Sequence, residues 1–168
     1  MVLVLGIDIG TTSIGLCLVE SGVPQYHASV QHNAYMAQIG DSTAEQDVAV
    51  LVDHTLELLS QLPQNTRHID GIGVTGQMHG FVAWDEALNP VTTLITWEDR
   101  RQSVEQVQQV DASLQPGYGC ASLMWLRQYK NEQLKSAVSC GTIMGNLTDF
   151  GRTLLSFGFR LFRCAPHF

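Results

Sequence analysis

The chain is predicted to take an α/β fold, and three observations carry that prediction. Apolar residues alternate through Leu3–Ile9 and again through Ser13–Glu20 with a Gly-Thr-Thr bend between them, the pattern of a β-hairpin. Val48, Leu51, Val52, Thr55, Leu59 and Leu62 recur at helical spacing within Glu45–Leu62. A short apolar run, Asp70–Thr75, returns after that helix and is expected to lie parallel to the first strand.

Taken in order, the hairpin is extended by a third strand at Gln25–His32 into an antiparallel meander. Helix Glu45–Leu62 follows. Ser42 or Thr43 is placed to cap it, Glu45 and Asp47 suit its positive end, and Pro63 stops it. After the returning strand come two short strands, Phe81–Trp84 and Val91–Thr96, on either side of a turn at Asn89-Pro90. Ser103–Leu114, Cys120–Tyr129 and Asn131–Val138 read as helices. Three strands, a helix and a returning strand match an RNase H-like unit. No internal repeat or low-complexity linker interrupts it.

Composition narrows the function. The 168 residues suffice for one domain with a sizeable core, and 45% hydrophobic against 15% charged residues is a globular balance. A net charge of −7 and a pI near 5.2 argue against nucleic acid or an anionic membrane as partner. Cys17, Cys120, Cys140 and Cys164 have no CxxC spacing and read as reduced thiols, and the six histidines show no paired ligand spacing. The apolar start runs straight into Asp8, too short for a signal core, and no stretch reaches the roughly 20 apolar residues of a membrane span. The expected location is therefore cytoplasmic, and the Asn146-Leu147-Thr148 sequon carries no weight.

The first hairpin holds the first chemical signal. Asp8 closes an apolar strand, and Gly10, Thr11, Thr12 and Ser13 form the bend. Successive backbone N–H groups and hydroxyls at such a bend hold phosphate, and a lone carboxylate among apolar neighbours calls for a cation or water. The alternative is a structural hairpin in which Asp8 caps the turn. A second segment, Gly71-Ile72-Gly73-Val74-Thr75-Gly76, satisfies G-x-G-x-x-G. A dinucleotide site needs a strand before its glycines and a helix after them. Here polar residues precede, Ile72 and Val74 lie inside the motif, and another strand-like run follows, so that reading fails. No Walker-type G-x-x-x-x-G-K-[ST] is present.

Several segments in order, Gly6–Ser13, Glu45-Gln46-Asp47, Ile72–Gly80, Thr96–Arg100, Gly117–Ser122 and Gly141–Met144, resemble the FGGY family of carbohydrate kinases. The resemblance covers residues 3–144. It implies an incomplete N-terminal domain of the actin/hexokinase-like ATPase fold. It also implies ATP-dependent transfer of the γ-phosphoryl group to a primary hydroxyl of a ketose. Sedoheptulose is favoured over xylulose by the residues around Gly76–Ala83 and Gly117–Ser122. Mg2+ and ATP are the implied cofactors, and sugar and nucleotide the implied partners, with no nucleic acid or membrane. Asp8 would orient the metal through water, with Gly10, Thr11, Thr12 and Ser13 at the phosphates. Gln77, Met78, His79, Trp97, Asp99 and Arg100 would contact the sugar, with Tyr118 a weaker candidate at the cleft edge. For His79 the alternative is a structural loop histidine, and for Trp97 plain core packing.

Beyond Met144 the composition changes. Residues 145–168 hold five of the six phenylalanines, and Asp149, Arg152, Arg160 and Arg163 give a net +2. Set against −7 for the whole chain, that leaves −9 for the remainder. The expectation is an atypical tail from a splice or frameshift event, and the alternative a natural amphipathic tail docked on the domain. The resemblance places the general-base Asp outside residues 3–144. Two function classes follow: a ketose kinase, or a non-catalytic fragment that binds sugar, phosphate or another protein weakly.

Overall fold

The computed structural model describes residues 1–37, 42–63, 66 and 68–145. The expected tail at 145–168 lies outside these residues, apart from Gly145. Of the described residues, 1–33 and 49–76 form one compact unit, and 34–48 and 77–145 another.

The first unit is built on a four-stranded sheet in the order β3-β2-β1-β5. Strands β1 (Leu3–Ile9), β2 (Ser13–Glu20) and β3 (Val23–Gln31) form the expected antiparallel meander. Strand β5 (Gly71–Gly76) returns parallel to β1, also as expected. Alternation decides the two faces. Leu5, Ile7 and Ile9 on β1 and Ile14, Leu16 and Leu18 on β2 are each at most 4% exposed, and they pair across the strands. The intervening positions, among them Gly6, Asp8 and Gly15, occupy the opposite face.

Asp70 fastens the start of the parallel pair. Its carboxylate accepts the Leu3 N–H at 2.8 Å, while its own N–H donates to the Leu3 carbonyl. The Leu3 N–H first, and His68 in a lesser way, hold this carboxyl below its ordinary value of 3.8. A depressed carboxyl contributes stability that is complete above its unfolded value and lost as pH falls through the folded one. Replacing Asp70 with Asn is therefore expected to lower stability at neutral pH, where the carboxylate's contribution is complete, and to flatten the acid limb of the profile so that the two proteins converge below pH 4; urea unfolding across pH checks it.

The helix after the meander starts later than the sequence indicates. Glu45 and Gln46 form strand β4 (Glu45–Gln46), paired antiparallel with β7 (Leu94–Ile95), and α1 spans Val48–Ser60. Strand pairing overrides helical periodicity here, so Ser42 and Thr43 do not cap α1. Val48, Leu51, Thr55 and Leu58 are the buried residues of α1, with Val52 and Leu59 half-buried.

In the second unit, β6 (Val82–Trp84) pairs with β8 (Ser139–Gly141). The expected strand Val91–Thr96 shrinks to β7, because Val91 and Thr92 instead turn their polar groups to Ala83. Helix α2 (Val104–Gln108) is shorter than expected: only Val107 is buried, and the polar residues beyond it give no second apolar face. Ser103 and Gln106 close its capping box. Helix α3 (Gly119–Tyr129) agrees with expectation, whereas Asn131–Val138 is a single 3-10 turn at Asn131–Leu134 leading into β8. Phe81, Ala83, Ile95 and Leu126 form a buried hydrophobic cluster in this unit.

Candidate functional site

The residues expected at phosphate lie in the first unit. At the end of β1, Asp8 pairs with Gly15 of β2 on one side and Thr75 of β5 on the other. Gly15 in turn pairs with Ser29 of β3. Asp8, Thr75 and Ser29 are exposed, so one row across the sheet presents a carboxylate between small and hydroxyl-bearing residues. The cost of burying a lone carboxylate does not arise. Thr75 is a neighbour that reading the strands one at a time overlooked; its signal is the parallel register that sets it beside Asp8.

The bend beyond Asp8 is closed by Gly10, whose N–H donates to the Ser13 carbonyl at 2.9 Å. A Cβ on Gly10 would stand 2.9 Å from that same oxygen, so glycine is needed here for clearance. Gly10 thus spends its donor on the turn itself, and Thr11, Thr12 and Ser13 follow it in the bend. His32, just after β3, donates its backbone N–H to the Thr12 carbonyl, and its ring Nε2 lies 3.2 Å from the Gly10 carbonyl. Sequence reading treated His32 only as a strand end.

The expected sugar-contact residues belong to the second unit. Gln77 is buried, its Nε2 donating to Gln46 Oε1 at 2.9 Å, while its Oε1 is buried without a partner. Met78 is exposed, and His79 takes the left-handed φ of 64°. The His79 ring stacks on Tyr118 with centroids 4.5 Å apart and planes 15° from parallel. Trp97 is 42% exposed, which departs from plain core packing, and Arg100 Nη1 donates to its carbonyl at 2.7 Å. Gly117, at φ 86°, lies where any side chain would strike the Trp97 carbonyl and Arg100. The Gly117–Gly119 segment therefore joins His79 and Tyr118 to Trp97 and Arg100.

Asp99 is placed differently from its neighbours. It is 3% exposed, and both carboxylate oxygens are engaged inside the unit. Oδ2 accepts from the Ala44 N–H and Arg101 Nη2, each at 2.8 Å, and Oδ1 accepts from the backbone N–H and Nε of Arg101. This carboxylate holds the protein rather than facing a sugar hydroxyl. Arg101 also meets Glu45 and sits 4.6 Å over the Trp125 ring. Burial works against its charge, but Asp99 and Glu45 outweigh burial and keep the guanidinium firmly protonated. Nearby, partial burial and then a hydrogen bond to Glu98 push the Tyr35 phenol up to about 12. An open cavity of about 610 Å3 in this unit is lined by Glu45, Thr93, Arg101, Trp125, Lys130 and Gln133, among others, and by none of the expected sugar-contact residues.

Among the described residues no group of three His, Cys, Asp or Glu is arranged to hold a metal ion. Nor is any helix among them long and apolar enough to cross a membrane. A family described as the FGGY family of carbohydrate kinases, N-terminal domain, matches residues 3–149. The chain belongs to the FGGY family of carbohydrate kinases. It is 34% identical over 171 residues to a sedoheptulokinase from Homo sapiens, covering 83% of this chain and 36% of that protein. A xylulose kinase from Staphylococcus xylosus is 33% identical over 150 residues, covering 80% and 31% respectively. The solved xylulose kinase from Rhodospirillum rubrum superposes with a TM-score of 0.74 at 20% identity, over 88% of this chain and 34% of that one. This FGGY chain thus has the actin/hexokinase-like, RNase H-like fold, and it spans about a third of the length of the curated relatives it matches.

Proposed function

We propose that this chain supplies the phosphate turn and part of the sugar wall of an ATP-dependent ketose kinase, with sedoheptulose the favoured sugar and xylulose the next. The observation that carries the reading is the row Ser29–Gly15–Asp8–Thr75, with Ser29, Asp8 and Thr75 exposed, beside the hydroxyl-rich bend Thr11–Ser13. One exposed carboxylate, with no surrounding ligand cluster among the described residues, suits Mg2+ held mainly by nucleotide phosphates and water, the usual habit of that ion. Asp8 would orient it through water, and Thr11, Thr12 and Ser13 would position phosphate oxygens. When bound, Mg2+ supplies charge neutralisation at those oxygens. Gln77, Met78 and His79 would contact sugar oxygens, Trp97 would wall the C–H face, and Arg100 would hold a hydroxyl. Asp99 supports that wall by fixing Arg101 and the Ala44 backbone.

No residue of this set is placed as the general base, and the reading assigns that Asp to a part of the family's machinery outside this chain. Base catalysis typically contributes about 10²–10⁴-fold. The chain's coverage of about a third of its relatives favours a second reading for the chain by itself, ligand binding without turnover. The test is thermal unfolding of Met1–Phe168 with and without Mg–ATP and each sugar. Mg–ATP at 100 times Kd is expected to add about 2.7 kcal/mol. Asp8→Asn should lose the Mg2+-dependent part of that gain while its unliganded midpoint stays put, because an exposed substitution shifts stability by only about 0.5 kcal/mol. An unliganded chain that unfolds cooperatively and ignores Mg–ATP at millimolar concentration would overturn the phosphate reading. Sugar-dependent ATP turnover above the Asp8→Asn background would overturn binding without turnover.

A further inference from the structure

We infer that His32 is a positioning residue that holds the Gly10–Ser13 bend in its anion-accepting shape through a hydrogen bond from Nε2 to the Gly10 carbonyl, an inference that rests on the phosphate reading of that bend. An anion site must turn its carbonyl oxygens away from the ligand, since they repel negative charge. Three carbonyls of this bend are occupied from within the protein. The Ser13 carbonyl accepts from Gly10 N–H, the Thr12 carbonyl from the His32 backbone N–H at 3.1 Å, and the Gly10 carbonyl faces His32 Nε2 at 3.2 Å. Two of the three donors come from one residue.

A carbonyl only accepts, so the 3.2 Å contact assigns the hydrogen to Nε2. The other ring nitrogen, Nδ1, is buried with no partner, and the residue is only 9% exposed. A neutral ring leaves Nδ1 as an unfilled acceptor; a charged ring would leave there a buried donor and a buried charge, which is far costlier. Burial first, and His54 as a further cation, hold the His32 pKa below its ordinary value of 6.5, with the Gly10 carbonyl pulling the other way. Geometry and burial therefore agree on a neutral imidazole protonated at Nε2, a tautomer a surface histidine has no reason to fix.

The test has two arms on the whole chain. In the first, ¹⁵N NMR of the ring nitrogens at pH 7 is expected to show Nε2 protonated and Nδ1 bare. Amide exchange at Gly10 should accelerate at least about tenfold in His32→Phe, which keeps the volume but cannot donate, and be largely restored in His32→Gln, whose amide can. In the second arm, Mg–ATP affinity should fall about tenfold or more in His32→Phe and recover in His32→Gln. A merely space-filling histidine would reverse that order, with Phe the better substitute. Nδ1 protonation, a charged ring at pH 7, or unchanged Gly10 exchange in His32→Phe would overturn the inference. If the wild-type chain ignores Mg–ATP but the first arm comes out as expected, His32 holds the bend and the phosphate reading is what fails.

Discussion

Replacing Arg101 with Leu is expected to destabilise the chain by about 3–5 kcal/mol, the usual cost of removing one partner from a buried ion pair. The Arg101 side chain is 8% exposed and that of Asp99 4%, so water cannot replace what is lost. Without the guanidinium, Asp99 keeps only the Ala44 and Arg101 backbone donors of its present four. Glu45, 28% exposed, would keep the Thr93 hydroxyl and regain some water. Asp99 therefore dominates the penalty. Domains of this size have about 5–15 kcal/mol in total, so the loss is a large fraction. Arg101→Lys should recover only part of it, because a point charge cannot reproduce a fork that bonds Asp99 through Nε and Nη2 at once. Urea unfolding at constant m-value measures both variants. A cost under about 1 kcal/mol for Arg101→Leu would mean that the cluster is not what holds Ala44, Glu45 and Asp99 together.

That cluster marks the limit of what one-dimensional reading shows. The meander and the returning strand were legible because a sheet buried on one face writes itself as alternation, and Leu5, Ile7, Ile9, Ile14, Leu16 and Leu18 all obey it. Strand β4 was not legible: Glu45 and Gln46 carry no strand signal, and pairing with Leu94 and Ile95, about 50 residues on, decides their conformation. Strand β8 has the same origin, since Ser139-Cys140-Gly141 contains no apolar pattern and owes its shape to Val82–Trp84.

The candidate site divides along the same line. Asp8 and its bend announce themselves through residue type. Adjacent residues Asp99, Arg100 and Arg101 do not, because which of them is buried depends on Ala44 and Glu45, and the outward-facing arginine proves to be Arg100. Thr75 and His32 act across strands, at positions that only register or a chain reversal brings to the bend.

Register also makes the strongest prediction about the Gly10–Ser13 bend. Gly76→Ala is expected to cost about 3 kcal/mol or more, at the upper end for overpacking. A Cβ at position 76 would lie 2.5 Å from the Ile9 carbonyl oxygen and 3.1 Å from its carbon. Both are backbone atoms of the neighbouring strand, with no rotamer into which they can retreat. Relief requires β5 to move away from β1 at the point where Ile9 pairs with Gly76, one residue beyond the pairing of Asp8 with Thr75. The damage should therefore reach function as well as stability, weakening Mg–ATP binding even at temperatures where the variant remains folded. Gly73→Ala, three residues earlier on β5, is the control. No atom lies within 4 Å of its would-be Cβ, and its backbone does not need the left-handed region. There the change restricts only the unfolded chain and is expected to be neutral or to stabilise by about 0.4–1 kcal/mol. Opposite signs for two alanines on one six-residue strand would show that clearance against Ile9, rather than glycine content or strand propensity, keeps Asp8 beside Thr75; equal effects would sink that account.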